Sequence, residues 1–277
     1  MHKRLLPVIT ETDKELPYYV VDAGCNWNQE HIIRPSGYLY QWIQCVKGEG
    51  ELIAAGRTFC VKEGTAMLLL KGQAHEYYAV SPSWIVNWVV FDGHQVEPFL
   101  KKTGGFTASG AYYVSRPELF HTRIKSIIDV DQSACTLKSL KWSGMVYSLL
   151  TDVVQYASIH PNNSTSILNS RLKPLLEYID QNFNKPLTLE EMAEVMGITP
   201  QHLCTLFKKT TNIRIFQYIN SVRIKKSKEL LLNSPLMQVK EIACLTGFED
   251  ANYFCTVFKK HEQMTPNQFR RLNQIGD

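Results

Sequence analysis

The six residues Cys204-Thr205-Leu206-Phe207-Lys208-Lys209 return 51 positions later as Cys255-Thr256-Val257-Phe258-Lys259-Lys260. The echo belongs to a longer one. Residues 189–198 (LEEMAEVMGI) are matched by residues 239–248 (VKEIACLTGF) at an offset of 50, with Ala193 over Ala243 and Gly197 over Gly247. One extra residue in the second turn makes the later offset 51. Self-similarity at a fixed period means that one supersecondary unit is used twice, and the local signals say which unit. Thr188 followed by Glu191 spells a reciprocal capping box. Gly197 is suited to end the short helix that this box opens. Thr199-Pro200 then restarts the chain as cap and first helical residue. A short helix, a glycine turn and a second helix form the helix-turn-helix pattern. Between the two copies the spacing predicts a helix over about 216–232, with Phe216, Ile219, Val222 and Leu230 on one face and Pro235 after its end.

The rest of the chain is of a different kind. Residues 160–166 (HPNNSTS) are polar and turn-forming, and we expect a boundary near residue 165. Upstream, residues 18–114 are rich in aromatic and β-branched types, with glycines at 37, 48, 50, 56, 64 and 72 between short runs. Evenly spaced short strands with glycine turns predict a sandwich or barrel. From Pro117 to Ile159 the spacing turns helical, through Leu119, Ile124, Ile127 and Ile128 and then Leu137, Leu140, Met145, Leu149, Leu150 and Val153, which predicts two helices after the barrel.

Charge divides along the same line. Residues 1–167 hold 15 Lys/Arg and 15 Asp/Glu, whereas residues 168–277 hold 15 and 11, so the whole excess of +4 falls in the repeat-bearing part. A bias of that size agrees with a phosphate-binding surface and equally with a solvated one. The start of the chain has no long apolar run of the secretory kind, so we expect a cytoplasmic protein without a membrane partner. The 7 cysteines include no C-x-x-C, and read as reduced thiols with no metal and no cofactor.

Two helix-turn-helix units with terminal lysine pairs favour DNA over a plain helical bundle, because recognition helices held by a rigid connector can enter successive major grooves about 34 Å apart. Residues 168–277, and above all the run RIKKSKELLLNSPLMQVKEIACLTGFEDANYFCTVFKKHEQMTPNQFRR, resemble the DNA-binding domain of AraC/XylS-type transcription regulators. Asn212 and Gln263 stand where that family usually has glycine, Ser227 where it has alanine, and Thr205 and Thr256 where members commonly carry arginine. The resemblance implies Gln201, His202, Thr205, Ala251, Asn252 and Thr256 as base-facing residues. Asn252 suits an adenine edge, and Thr or Ala a thymine methyl. Lys208, Lys209, Lys259 and Lys260 are the phosphate candidates.

Upstream, Arg34-Pro35-x-Gly37-Tyr38, Gly48-x-Gly50, Gly64, His75-x-Tyr77 and Trp84-x-x-x-Trp88-x-x-Phe91-x-Gly93 resemble the cupin-type effector domain of the arabinose-regulator branch. This implies a ligand-binding barrel followed by a helix, around 136–158, that pairs two copies. We expect that homodimer face at Leu137, Leu140, Met145, Leu149 and Val153. A sugar needs charged or amide partners for its hydroxyls and an aromatic plate for its apolar face, which selects Arg34, His75, Tyr77 and Trp88, whereas Trp42 and Trp84 are expected in the core. Val86 stands where the family often has a ligand-contacting histidine.

The expected fold is α+β and multidomain: a cupin-like effector and dimerisation domain with two following helices (1–160), a linker (161–167), and an all-α DNA-binding domain (168–277) with units at 188–210 and 238–261. The expected function is a promoter-binding activator that works with RNA polymerase and senses a sugar or glycoside. A regulator sensing an aromatic compound, peptide or host cue is the alternative. A cupin enzyme fused to a DNA-binding tail is a third reading, disfavoured because His75-Glu76-Tyr77 lacks the H-x-H of a metal site. We also expect residues 7–17 to act as a mobile arm.

Overall fold

The computed structural model describes residues 3–133, 136–159 and 165–273, and the chain divides into two compact units, Met1–Ile167 and Leu168–Asp277. In chain order the first unit holds β1 (Lys3–Leu5), α1 (Glu11–Lys14), β2 (Tyr19–Asn28), β3 (Ile32–Arg34), β4 (Tyr40–Lys47), β5 (Glu49–Ala54), β6 (Arg57–Lys62), β7 (Thr65–Leu69), β8 (His75–Ala79), β9 (Ile85–Asp92), α2 (Val96–Phe99) continued by a π-helical turn (Leu100–Gly104), β10 (Gly110–Val114), α3 (Pro117–Asp131), α4 (Lys138–Tyr156) and β11 (Ala157–Ser158). The second holds α5 (Thr165–Asn182), which begins just before it, then α6 (Leu189–Val195), α7 (Pro200–Thr211), α8 (Ile215–Asn233), α9 (Val239–Leu245), α10 (Ala251–Glu262) and α11 (Pro266–Asn273).

Two antiparallel sheets face each other in the first unit, a larger one in the order β1-β2-β9-β4-β7-β10-β11 and a smaller one in the order β3-β8-β5-β6. The larger sheet is covered on both faces, which is why β4 and β7 read as nearly unbroken buried runs rather than as alternating strands. On one face Trp42, Val89 and Phe91 join Phe120, Ile124, Val146 and Leu150 of α3 and α4 in one core. Trp42 stacks on Phe120 with ring centroids 4.8 Å apart, a pairing worth about 1 kcal/mol beyond its buried area. On the other face Ile43, Val86 and Met67 pack with Leu52, Tyr77 and Trp84 between the sheets. Trp42 and Trp84 are both fully buried, in the core as expected.

Polar residues on the helix-facing side are bonded to the helices. Gln44 Nε2 donates to the Pro117 carbonyl at 2.8 Å. Asn87, fully buried, accepts from the Asn26 amide through Oδ1 and bonds His121 Nδ1 through Nδ2, each at 2.8 Å.

The expected dimer face on α4 is corrected. Leu149 and Val153 are fully buried in the unit's own core, and Met145 packs against it. Leu137 and Leu140 alone of the five stay exposed, at 60% and 55%, because the helix must spend most of its apolar stripe on the sheet beneath it. The arm expected over 7–17 contains α1, whose Thr10–Asp13 capping box holds its first turn. Before it, Leu5 is buried in the core and β1 pairs with β2. Of the expected linker, 161–164 lie outside the described residues, and 165–167 already belong to α5.

In the second unit α8 serves two separate cores. Ile215 and Ile219 close the first with Leu175, Met192, Leu203 and Phe207. Ile224 and Leu231 close the second with Ile242, Phe248, Phe254 and Phe258. The buried face therefore rotates along the helix, and the single face expected from Phe216 through Leu230 is corrected: Phe216 is 46% exposed.

Candidate functional site

The two helix-turn-helix units are built by local hydrogen bonds that the sequence spells out. Glu191 N donates to Thr188 Oγ1 at 3.2 Å and Thr188 N to Glu191 Oε2 at 3.1 Å, closing the box at the start of α6. Gly197 turns the chain at φ +62°, and Thr199 Oγ1 accepts the His202 amide at the start of α7. The second copy uses other residues for the same tasks. Gln238 and Glu241 open α9, Gly247 turns at φ +83°, and Asp250 Oδ1 accepts the Tyr253 amide at 2.6 Å to start α10. At Gly247 a Cβ would lie 2.4 Å from the Phe183 carbonyl oxygen, so both the left-handed backbone and the close approach demand glycine. Arg223 of α8 fixes this junction, with Nε donating to the Phe183 carbonyl, Nη2 to the Lys185 carbonyl, and the guanidinium 5.6 Å over Phe248.

On α7 the side chains of Gln201, His202 and Thr205 are exposed, while Leu203 and Phe207 are buried. On α10 Asn252 and Thr256 are exposed, and Ala251 is half-buried against the second core. Lys208, Lys209, Lys259 and Lys260 are exposed in the last turns of these helices, with no carboxylate at ion-pair distance among the described residues. Lys228 differs, being paired with Glu262 at 2.8 Å and held over Phe269. Tyr253, exposed beside Asn252, packs on Phe248 and bonds Asn220, a role the sequence did not announce. The positions after the lysine pairs, Asn212 and Gln263, end their helices in the left-handed region at φ +59° and +60°.

In the first unit a cavity of about 270 Å³ opens between the two sheets, where β2, β4 and β9 face β3 and β8. It is lined by three of the four residues selected from the sequence, Arg34, Tyr77 and Trp88, and by Arg4, Asp22 and Gln41, which the sequence reading missed. A polar residue set in an otherwise apolar strand, as Gln41 is between Tyr40 and Trp42-Ile43, was the available signal. The Trp88 indole lies across Gly24 of the neighbouring strand, where a Cβ would meet its ring carbons at 2.2–2.5 Å. Register shifts between Gly24 and Trp27, at a bulge that includes Asn26, and Trp27 then meets Trp88 edge-on at 5.5 Å and 83°.

Arg4 of β1 reaches the same cavity. Its Nη2 donates to Asp22 Oδ2 at 2.7 Å, the main cause of its raised pKa. Arg34 is exposed at the mouth, 5.2 Å over Tyr38, with no carboxylate at ion-pair distance among the described residues. Burial pushes the Tyr77 phenol up to about 12, against the opposing pull of Arg34.

The fourth selected residue, His75, lines a more open groove of about 580 Å³ beside Arg34, with Ile33, Ile53 and Ala108. Its Nδ1 is bonded to the Gln73 carbonyl at 2.8 Å, and its buried Nε2 has no hydrogen-bond partner. Burial, the largest cause, lowers its pKa, with Arg34 adding to the effect and the Gln73 bond opposing it. Among the described residues no group of three or more His, Cys, Asp or Glu could hold a metal ion, and no helix is long and apolar enough to cross a membrane.

Two family profiles match the chain, one described as an AraC-like ligand binding domain over residues 20–132 and one as a helix-turn-helix domain over residues 192–272. Similar proteins include the Msm operon regulatory protein of Streptococcus mutans, 26% identical over 82% of each chain. Another is the lactose operon transcription activator of Staphylococcus xylosus, 25% identical over 83% of each. Among solved structures, the C-terminal domain of the two-component response regulator yesN from Fusobacterium nucleatum is 35% identical. That match covers 37% of this chain and 98% of that one, with a TM-score of 0.35. The paired domains and the relatives are those of a transcriptional regulator, not of an enzyme. With a sheet-built ligand-binding domain followed by a double helix-turn-helix domain, the chain belongs to the AraC family of DNA-binding transcriptional regulators.

Proposed function

We propose that this regulator is a cytoplasmic transcriptional activator whose effector is a sugar or glycoside held in the cavity between the sheets. The observation that carries the reading is the cavity's chemistry: an indole plate, Trp88, with a guanidinium, a carboxamide and a carboxylate around it in Arg34, Gln41 and Asp22. Apolar ring faces stack on such plates while hydroxyls bond the polar rim. His75 adjoins this site through Arg34, which lines both cavities. The relative that activates a lactose operon supports both the sugar and the activation.

In this reading residues 1–160 sense and dimerise, 161–167 link, and 168–277 bind promoter DNA through units at 188–210 and 238–261. Gln201, His202, Thr205, Asn252 and Thr256 face bases, with Ala251 at the edge of that surface. Lys208, Lys209, Lys259 and Lys260 neutralise phosphates, and the bound protein engages RNA polymerase. Leu137 and Leu140 form the centre of the dimer contact.

The test is calorimetric titration of the full-length protein with mono- and disaccharides, aryl glycosides and aromatic acids, repeated with Trp88→Ala. Heat from a sugar that disappears in Trp88→Ala, together with sugar-dependent transcription from a bound promoter in vitro, is the expected result. Heat from aromatic acids alone would replace the sugar by an aromatic effector. A sugar response untouched by Trp88→Ala would move the site out of this cavity.

A further inference from the structure

We infer that α7 and α10 read the same pair of base features, an adenine edge and a thymine methyl, so that the operator holds two matching A·T-bearing half-sites. The inference rests on the reading of these helices as the base-facing ones, and goes further by naming what each of them selects.

The offset of 51 that superimposes the lysine pairs also places Gln201 over Asn252 and Thr205 over Thr256. All four side chains are exposed. In each helix the carboxamide and the threonine are four residues apart, hence on one face, and about 6 Å apart along the axis. That separation corresponds to roughly two base-pair steps. A carboxamide is the side chain that bonds adenine N6 and N7 together, and an apolar contact is what recognises the thymine methyl.

The threonines are preset for the second task. Thr205 Oγ1 donates to the Gln201 carbonyl at 2.9 Å, and Thr256 Oγ1 donates to the Asn252 carbonyl, also at 2.9 Å. With the hydroxyl proton committed to the backbone in both copies, the side-chain torsion is restricted and the γ-methyl becomes the distinguishing group each threonine offers. Neither helix contains an arginine, so the bidentate fork that selects guanine is missing from both. The copies differ at the position after the carboxamide. His202 is free of side-chain bonds among the described residues, whereas Tyr253 is tied to Phe248 and Asn220, so the half-sites are matched rather than identical.

The experiment is selection of DNA duplexes from a random pool by the full-length protein, followed by competition binding in which single thymines of each half-site are replaced by uracil, which lacks only the methyl. Wild type, Thr205→Ser, Thr205→Val, Thr256→Ser and Thr256→Val are compared; these positions are exposed, so folding is not at stake. We expect two half-sites sharing an adenine and a nearby thymine. Uracil should weaken wild type about fourfold at one thymine of each half-site, the worth of one buried methyl. The valine variants should keep that sensitivity, and each serine variant should lose it in its own half-site alone. Unrelated or G·C-rich half-sites, indifference to uracil, or serine variants that still sense the methyl would overturn the inference. Lys208→Gln and Lys259→Gln serve as the control. If they leave the salt dependence of binding unchanged, the base-facing assignment falls and the inference with it. If they lower it while the half-sites differ, the inference alone falls.

Discussion

Gly24→Ala is a sharp probe of the cavity proposed for the effector, because one added methyl should move the Trp88 plate without touching any polar group. A Cβ at position 24 would lie 2.2, 2.4 and 2.5 Å from three indole carbons, and ordinary carbon contacts begin near 3.5 Å, so the ring must retreat by roughly 1.3 Å. The backbone at Gly24 is not in the left-handed region, so alanine itself is tolerated and the clash is the whole effect. Overpacking of this kind costs about 1–3 kcal/mol, or roughly 2–12 °C in the melting temperature of a unit this size. Loss of the plate should weaken the effector by about tenfold. The assay is a double-mutant cycle by scanning calorimetry with Gly24→Ala, Trp88→Ala and both together. In the Trp88→Ala background the added methyl meets open space, so most of its cost should vanish. A Gly24→Ala penalty of the same size with and without the indole would refute the argument.

Three further outcomes are expected. Leu149→Ala should destabilise the first unit by about 2–5 kcal/mol through a core cavity, whereas Leu140→Glu should leave its melting temperature unchanged and, by sedimentation velocity, convert a dimer to a folded monomer. Gln263→Gly should stabilise the second unit by up to about 1 kcal/mol, read as a higher denaturant midpoint at unchanged m, since glutamine at φ +60° carries left-handed strain, while Asn212→Gly should gain less because asparagine tolerates that region. His75 is held below the ordinary imidazole value, so the unfolded chain binds the extra proton; stability is full above about pH 6.5 and falls as pH drops through the folded pKa. Equilibrium unfolding of His75→Gln between pH 5 and 7 should show a shallower loss than wild type, and equal slopes would remove His75 from the account.

The second unit was legible because its signals are local. Thr188 with Glu191, Gly197 and Thr199-Pro200 each determine a bond or torsion within a few residues, and each is found as written. Phe216 was misread because periodicity assumes one partner surface, and α8 has two. The dimer stripe was misread for a related reason, since a sequence shows that Leu137, Leu140, Met145, Leu149 and Val153 are apolar but not which of them meet the sheet of the same unit. In the cavity, aromatic and cationic residues stood out against their neighbours, and Arg34, Tyr77 and Trp88 were found. Arg4, Asp22 and Gln41 come from three strands whose adjacency depends on sheet order and on the bulge at Asn26, neither of which a single sequence displays.

The strand β9 has an odd position in this architecture, since Trp88 and Val90 face the cavity while Asn87, Val89 and Phe91 face the helices. Because side chains alternate with period two, the lining of the cavity and the seating of the helices are written on separate letters of one word. Substitutions at 88 or 90 can retune which molecule fits without disturbing the bed on which α3 and α4 lie, and changes at 87, 89 or 91 do the reverse. A lineage can therefore reshape the cavity by drift at alternate codons of one strand while the seating of the two helices behind it is inherited intact.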